Sequence, residues 1–382
     1  MNVTITPRSL RGEVRVIPSK SQAHRLLICA AFADRPTQIV CSETNQDIEA
    51  TASCLRALGA QIDTTESGYT VYPVQKAPES ATLECNESGS TLRFMLPIVG
   101  ALGVDGTFQL KGRLAERPLS PLWEEMERMG CTLSRPTTDT VRCIGKLLPG
   151  EYKIDGGVSS QFITGLLFAH RLMNGCSLTI TGKLESKPYV ELTEEVLSLF
   201  ADRHSPGHVA VEGDWSNGAF WIVANGLGSD LSIVGLNRDS RQGDRAVVDI
   251  LKQMDTEIPT VSVADIPDLV PILSVAATAK NGAVFTDIQR LRLKESDRVA
   301  SAIAMLEALG GRATATESTL TVYPATLTGG TVDSCNDHRI AMSAAIAATV
   351  CNKPVVILGS EAVNKSYPQF WAEYRRLGGK YE

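Results

Sequence analysis

Hydrophobic positions along the chain alternate between two patterns. In the first, apolar residues recur at helical spacing on one side only. Ile48, Ala52, Leu55 and Leu58 share a face, Gly59 stops the helix, and the β-rich TVYP of residues 70–73 follows. The stretch 55–73, LRALGAQIDTTESGYTVYP, recurs as 306–324, LEALGGRATATESTLTVYP, with eleven of nineteen positions identical. Repetition at this level indicates duplicated structural units. Weaker copies of the one-sided helix begin near Ser120, Pro188, Asp244 and Pro368, which makes six. The second pattern is an apolar, Ala-rich helix, a turn and a strand. It also occurs six times, in LLICAAFADRPTQIVCSE, FMLPIVGALGVDGTFQLKG, GLLFAHRLMNGCSLTITG, WIVANGLGSDLSIVG, PILSVAATAKNGAVFTDI and AMSAAIAATVCNKPVVILGS. Helices apolar nearly all round are buried, and one-sided helices lie outside. Each unit thus reads as an inner helix, a strand, an outer helix and further strands. Six such units predict an α/β fold of two three-unit domains, with mixed sheets wrapped around buried helices.

Composition narrows the class. A chain of 382 residues suits about two domains. With 43% apolar and 21% charged residues it has the balance of a globular protein. No apolar run approaches the ~20 residues that span a bilayer, and the N-terminus lacks the apolar stretch of a signal peptide. No membrane association is expected. The nine cysteines are scattered with no C-x-x-C spacing, and the five histidines form no H-x-x-x-H pair. Neither a disulfide framework nor a metal site is expected, and free thiols fit a cytoplasmic protein. The net charge of −6 gives no reason to expect nucleic acid. Any anion must be bound by local basic groups.

The residues just before the inner helices are unusual for a core: SKSQAHR (19–25), ESGSTLR (87–93), SSQ (159–161), GDWSNG (213–218), IPD (266–268) and NDHR (336–339). Helix N-termini offer unpaired N–H groups and partial positive charge, which suits phosphates and carboxylates. Ser, Asp and Asn there are also ordinary caps, so one motif alone says little. The set says more, because several ends carry a basic residue beside the capping groups.

These motifs, in this order from SKSQAHR to VNKSYPQF, resemble the 5-enolpyruvylshikimate-3-phosphate synthase family over nearly the whole chain. The resemblance implies the family's inside-out α/β barrel fold, with two domains of three units that close on substrate. One domain would comprise residues 1–16 plus 214–382 and the other residues 17–213, with a two-stranded crossover near 14–19 and 210–216. It also implies the reaction of phosphoenolpyruvate with shikimate 3-phosphate in aromatic amino acid biosynthesis, carried out by a cytoplasmic monomer without metal or cofactor. Lys20, Ser21 and Arg25 match the motif that contacts shikimate 3-phosphate, and Lys20 also reaches phosphoenolpyruvate. Ser159, Ser160 and Gln161 match the stretch that receives the 3-phosphate and the neighbouring donor. Ser186 and Tyr189 match a further substrate wall. Gly89 and Arg93 match the turn over phosphoenolpyruvate, and Arg117, Arg298, Arg339 and Lys365 match its anion ligands. Asp268 and Glu295 match the proton acceptor and donor, with Lys294 beside them at the shikimate 3-phosphate side; Lys365 is a further catalytic candidate.

Plainer readings stand beside these. Arg117 follows Glu116 and could form a surface ion pair. Tyr189 could be packing, Asp214 an N-cap, and His24 structural. Asp337 and His338 could serve only to orient Arg339. Trp221 and the cysteines read as core. The sequence also departs from the family pattern. Glu87 stands where Asn is usual, and a carboxylate beside a phosphate is unfavourable unless something pairs with it. Phe94 follows Arg93 where Pro or Leu is frequent. The chain is short, with a trimmed segment around 200–212. Two rivals are a UDP-N-acetylglucosamine enolpyruvyl transferase and a non-catalytic anion-binding paralogue. The first resemblance implies a reactive Cys at a loop position that is Gly112 here.

Overall fold

The computed structural model describes residues 1–382. They form two compact units, one of Met1–Ile17 with Gly213–Glu382 and one of Pro18–Glu212. Each has its own hydrophobic core.

The 18–212 unit contains α1 (Lys20–Ala31), α2 (Gln46–Ala57), α3 (Gly89–Leu102), α4 (Leu122–Arg128), α5 (Ser160–Leu172) and α6 (Lys187–Leu199). The odd-numbered helices are buried along most of their length, whereas α2, α4 and α6 bury one face only. This is the inner and outer alternation that the apolar pattern predicts. Ser19, Ser88 and Ser159 cap the three inner helices through their side-chain oxygens. A Cβ at Gly165 would lie 2.3 Å from the Arg93 carbonyl oxygen, so glycine there lets α5 press against α3. That contact sets Arg93 within reach of Gln161, one turn before Gly165 on α5.

The other unit contains α7 (Trp215–Gly226), α8 (Val247–Thr256), α9 (Val270–Ala279), α10 (Arg298–Ala308), α11 (His338–Ala347) and α12 (Phe370–Arg376). Again the odd-numbered helices are the buried ones. Asp214 and Asp337 cap α7 and α11. A 3-10 turn at Pro267–Leu269 precedes α9, so Asp268 sits in a turn and is not the helix cap.

Each unit has three sheets. Four of the six sheets have four strands in a common arrangement, one parallel pair followed by two antiparallel neighbours. The sequence repeat recurs in the pairing: Gln61 faces Tyr72 in one sheet and Arg312 faces Tyr323 in another. The remaining two sheets are parallel two-stranded pairs, Glu151–Asp155 with Ser177–Thr181 and Arg11–Arg15 with Asp230–Val234. These two sheets lack the two antiparallel neighbours that complete the other four. After α2, α4 and α10 the chain makes a β-hairpin, but after α6 and α8 it runs on to the single strands His208–Ala210 and Thr260–Ser262. Relative to the other units of this chain, hairpins are absent after α6 and after α8.

Trp221 is fully buried, and most cysteines are buried. The expectation that all cysteines are core fails at Cys335, which is exposed, and holds only in part at Cys176, which is half-buried. Cys335 and Asn336 both take left-handed backbone conformations (φ +52° and +53°), and the turn they make carries the thiol out of the core. No helix is long and apolar enough to cross a membrane.

Candidate active site

In the 18–212 unit, the first turns of α1, α3 and α5 carry the candidate residues. Lys20 Nζ donates to Asp47 Oδ2 at 2.8 Å, on the first turn of α2. Arg25, 3% exposed, donates to the Ser21 carbonyl at 2.6 Å, the Tyr189 carbonyl at 2.9 Å and Thr193 Oγ1 at 2.9 Å. Its guanidinium lies 5.3 Å from the centre of the Phe94 ring, a cation–π contact. Burial pulls its pKa down to about 10, so it remains charged. Arg25 thus ties Ser21 to α6, whose start is Ser186 in a left-handed conformation (φ +55°). Tyr189 enters through its backbone and not only as packing.

A second group surrounds Gly89. A Cβ there would come within 2.7 Å of Arg117 Nη1 and 3.1 Å of Arg93 Nη1, so glycine admits two guanidiniums to the start of α3. Arg93 donates to Gln161 Oε1 at 2.6 Å, and Gln161 Nε2 donates to Ser90 Oγ at 2.9 Å. Ser159 caps the helix that carries Ser160 and Gln161. Positive charge therefore accumulates at a helix N-terminus, a combination that favours an anion. The plain reading of Arg117 as a surface pair with Glu116 does not hold: Arg117 is buried, and Glu116 lies 3.7 Å from Arg113. A Cβ on Gly112 would meet Glu87 Oε2 at 2.7 Å, so the Glu87 carboxylate rests against the Gly112 turn.

The other unit gathers charges of both signs. Arg298, 1% exposed, donates to Asp268 Oδ1 at 2.6 Å, Glu295 Oε2 at 2.6 Å and Asp337 Oδ2 at 2.8 Å. Asp268 also accepts from Arg339 Nη2 at 3.2 Å, and Lys294 Nζ lies 3.5 Å from it. Three cations thus meet three carboxylates. Burial opposes the charge on Arg298, but the three carboxylates outweigh it and hold its pKa well above the usual value. Burial pushes Asp337 upward, yet Arg298 and His338 outweigh that and hold its carboxyl below the usual range. Lys294 is the opposite case: burial, with help from Arg298, lowers its ammonium to about 8 against the pull of Asp268. Lys365 is buried and donates to the Asn336 carbonyl at 2.7 Å, beside Asp337.

The fold therefore brings Asp268, Lys294, Glu295, Arg298 and Arg339 into one cluster, and Gly89, Arg117 and Gln161 into another. Lys20 is fixed separately by Asp47, and Ser21 by Arg25. Asp47 and Asp337 are the residues that sequence reasoning missed or misread. An Asp in a helix's first turn usually answers the helix dipole, and nothing in the spacing links Asp47 to Lys20. Asp337 caps the Arg339 amide at 2.9 Å, but its carboxylate also holds Arg298. The plain reading of Asp214 stands: it accepts from the Asn217 amide at 2.8 Å as an N-cap.

Residues 5–374 match the family described as EPSP synthase (3-phosphoshikimate 1-carboxyvinyltransferase). The chain is 36% identical to the 3-phosphoshikimate 1-carboxyvinyltransferase of Clostridium kluyveri over 417 aligned residues, covering 100% of this chain and 98% of the relative. It is 37% identical to the protein of the same name from Clostridium novyi, covering 99% and 98%. Among solved structures, an EPSP synthase from Acinetobacter baumannii superposes with a TM-score of 0.81 at 24% identity, covering 100% of this chain and 99% of that one. A second structure of EPSP synthase from Acinetobacter baumannii gives 0.80 at 22% identity.

Proposed function

This chain belongs to the EPSP synthase family, and from that premise we propose that it transfers the enolpyruvyl group of phosphoenolpyruvate to the 5-hydroxyl of shikimate 3-phosphate, releasing phosphate, in aromatic amino acid biosynthesis. The hydroxyl oxygen attacks the middle carbon of phosphoenolpyruvate while the methylene carbon takes up a proton. The tetrahedral intermediate then loses phosphate and gives the proton back, which restores the double bond.

Two tasks follow. The phosphates and carboxylates of two substrates need fixed cations, and protons must move on and off oxygen and carbon. On this reading Lys20, Ser21, Arg25, Ser159, Ser160, Gln161, Ser186, Asp268 and Lys294 hold shikimate 3-phosphate. Arg117, Arg298, Arg339 and Lys365, with Lys20, Gln161 and the Gly89 turn, hold phosphoenolpyruvate. Asp268 takes the proton of the 5-hydroxyl and Glu295 delivers one to the methylene. The observation that carries the reading is the cluster of Asp268, Glu295 and Arg298 at 2.6 Å. An anion arriving at Arg298 competes with both carboxylates for the guanidinium. Phosphoenolpyruvate binding would thus release Asp268 and Glu295 for proton transfer, which joins recognition to chemistry.

Fixed Lys and Arg side chains can neutralise the substrates' charge, so the reading needs no metal or cofactor. It also takes the enzyme to be a cytoplasmic monomer. The rival acceptor is UDP-N-acetylglucosamine. The test is phosphate release from phosphoenolpyruvate with each acceptor in turn. Release with shikimate 3-phosphate alone is expected, and release with the nucleotide sugar alone would overturn the reading.

A further inference from the structure

We propose that His24, Thr51 and Thr91 form a one-way hydrogen-bond relay that positions Lys20 and the Gly89 turn for phosphoenolpyruvate. The inference rests on the functional reading above and adds three positioning residues to it.

The relay joins three helices. His24 Nδ1 of α1 lies 2.7 Å from Thr51 Oγ1 of α2. Thr51 Oγ1 lies 2.7 Å from Thr91 Oγ1 of α3, and Thr91 Oγ1 donates to Ser88 Oγ at 2.8 Å. His24, Thr51 and Thr91 are each fully buried. Both ends reach proposed substrate residues. His24 stands one turn after Lys20 on α1. Thr51 stands one turn after Asp47, which takes the Lys20 ammonium at 2.8 Å. Ser88 immediately precedes Gly89, over which Arg117 passes. Thr91 Oγ1 also lies 3.4 Å from the Asp47 carbonyl.

The direction of the relay follows from counting protons, since a hydroxyl has one to donate. Thr91 gives its proton to Ser88. Thr51 must then donate to Thr91, and Thr51 can receive only from His24. His24 is therefore the Nδ1–H tautomer. Its Nε2 is buried without a hydrogen-bond partner, which suits a bare lone pair better than an N–H. Burial first, and then the charges of Lys20 and Arg25, keep the ring neutral by lowering its pKa well below the usual value. Apolar packing at these positions would hold the helices together but would not fix their rotation. Directed bonds of 2.7 Å do fix it.

The experiment compares Thr51→Val, which keeps the shape but removes the hydroxyl, with Thr51→Ser, which restores it. The Michaelis constant for phosphoenolpyruvate should rise about three- to tenfold in Thr51→Val, the loss of one net hydrogen bond, and return to the parent value in Thr51→Ser. Calorimetric binding of shikimate 3-phosphate, which Lys20 shares with several other residues, should weaken by a smaller factor. An unchanged Michaelis constant in Thr51→Val would overturn the relay. So would equal impairment of both variants, because the hydroxyl alone would then not restore function. Should Thr51→Val fail to fold, nitrogen NMR of His24 in the parent decides: Nδ1–H is expected, and Nε2–H overturns the relay. An inactive parent would instead overturn the functional reading, a different failure from these.

Discussion

Arg298 Nη1 donates to Asp268 Oδ1 at 2.6 Å, so a proposed anion ligand and the proposed proton acceptor hold each other. Glu295 and Asp337 accept from the Nη2 and Nε groups of the same guanidinium. Asp337 is fully buried and helps to anchor Arg298, whereas Asp268 and Glu295 remain partly open to a ligand.

Amide replacements separate binding from proton transfer. Asp268→Asn and Glu295→Gln keep the shape but cannot carry a proton. Both should still bind shikimate 3-phosphate, with turnover lower by roughly 10²–10⁴-fold. Calorimetry reports binding and phosphate release reports turnover. If Glu295→Gln stays within a few-fold of the parent, Lys365 becomes the leading proton donor.

Lys294 sets a pH dependence. Its ammonium has a pKa of about 8, against 10.5 when unperturbed. Below about 8 it is charged and can hold an anion; above that it is neutral in the free enzyme. The plot of kcat/KM for shikimate 3-phosphate should therefore fall on the basic side near pH 8, because this quantity reports the free enzyme. Lys294→Arg should move that limb to higher pH. The sign for stability is opposite: between about 8 and 10.5 the unfolded chain binds the extra proton, so this group makes folding more favourable as pH rises. A limb that stays in place in Lys294→Arg would remove Lys294 from the profile.

The Gly89 turn makes a steric prediction. A Cβ at Gly89 would lie 2.7 Å from Arg117 Nη1 and must displace the guanidinium. Gly89→Ala and Arg117→Ala should both raise the Michaelis constant for phosphoenolpyruvate more than that for shikimate 3-phosphate. Arg117→Ala should do so by roughly 10- to 100-fold, as expected when a charge-assisted bond is lost. Equal effects on both substrates would assign Arg117 to the wrong anion.

Much of the fold is legible because its signals are local and repeated. The residues shared by 55–73 and 306–324 end in strands of identical register, and apolar periodicity sorts buried from one-sided helices. Missing hairpins leave no such mark: nothing near α8 announces that the chain omits two strands. At the site, residue types in motifs are legible and their partners are not. Lys20 and Asp47 are 27 positions apart, and Arg298 and Asp337 are 39. Only the fold makes them neighbours. Cys335 escapes the core for the same kind of reason, through backbone conformation and not through composition.

Removal of divalent ions should leave activity intact, because fixed cations already cluster at the Gly89 turn and around Asp268. Dialysis against EDTA followed by the phosphate assay checks this. Loss of activity restored by a divalent ion would contradict it.

Proton and phosphorus NMR of the purified chain with phosphoenolpyruvate and shikimate 3-phosphate tests the central claim most directly. One inorganic phosphate should appear for each shikimate 3-phosphate consumed, together with a new pair of vinylic proton signals, while the 3-phosphate resonance persists. Phosphoenolpyruvate consumed at the same rate without shikimate 3-phosphate, or phosphate released from the 3-position, would contradict it.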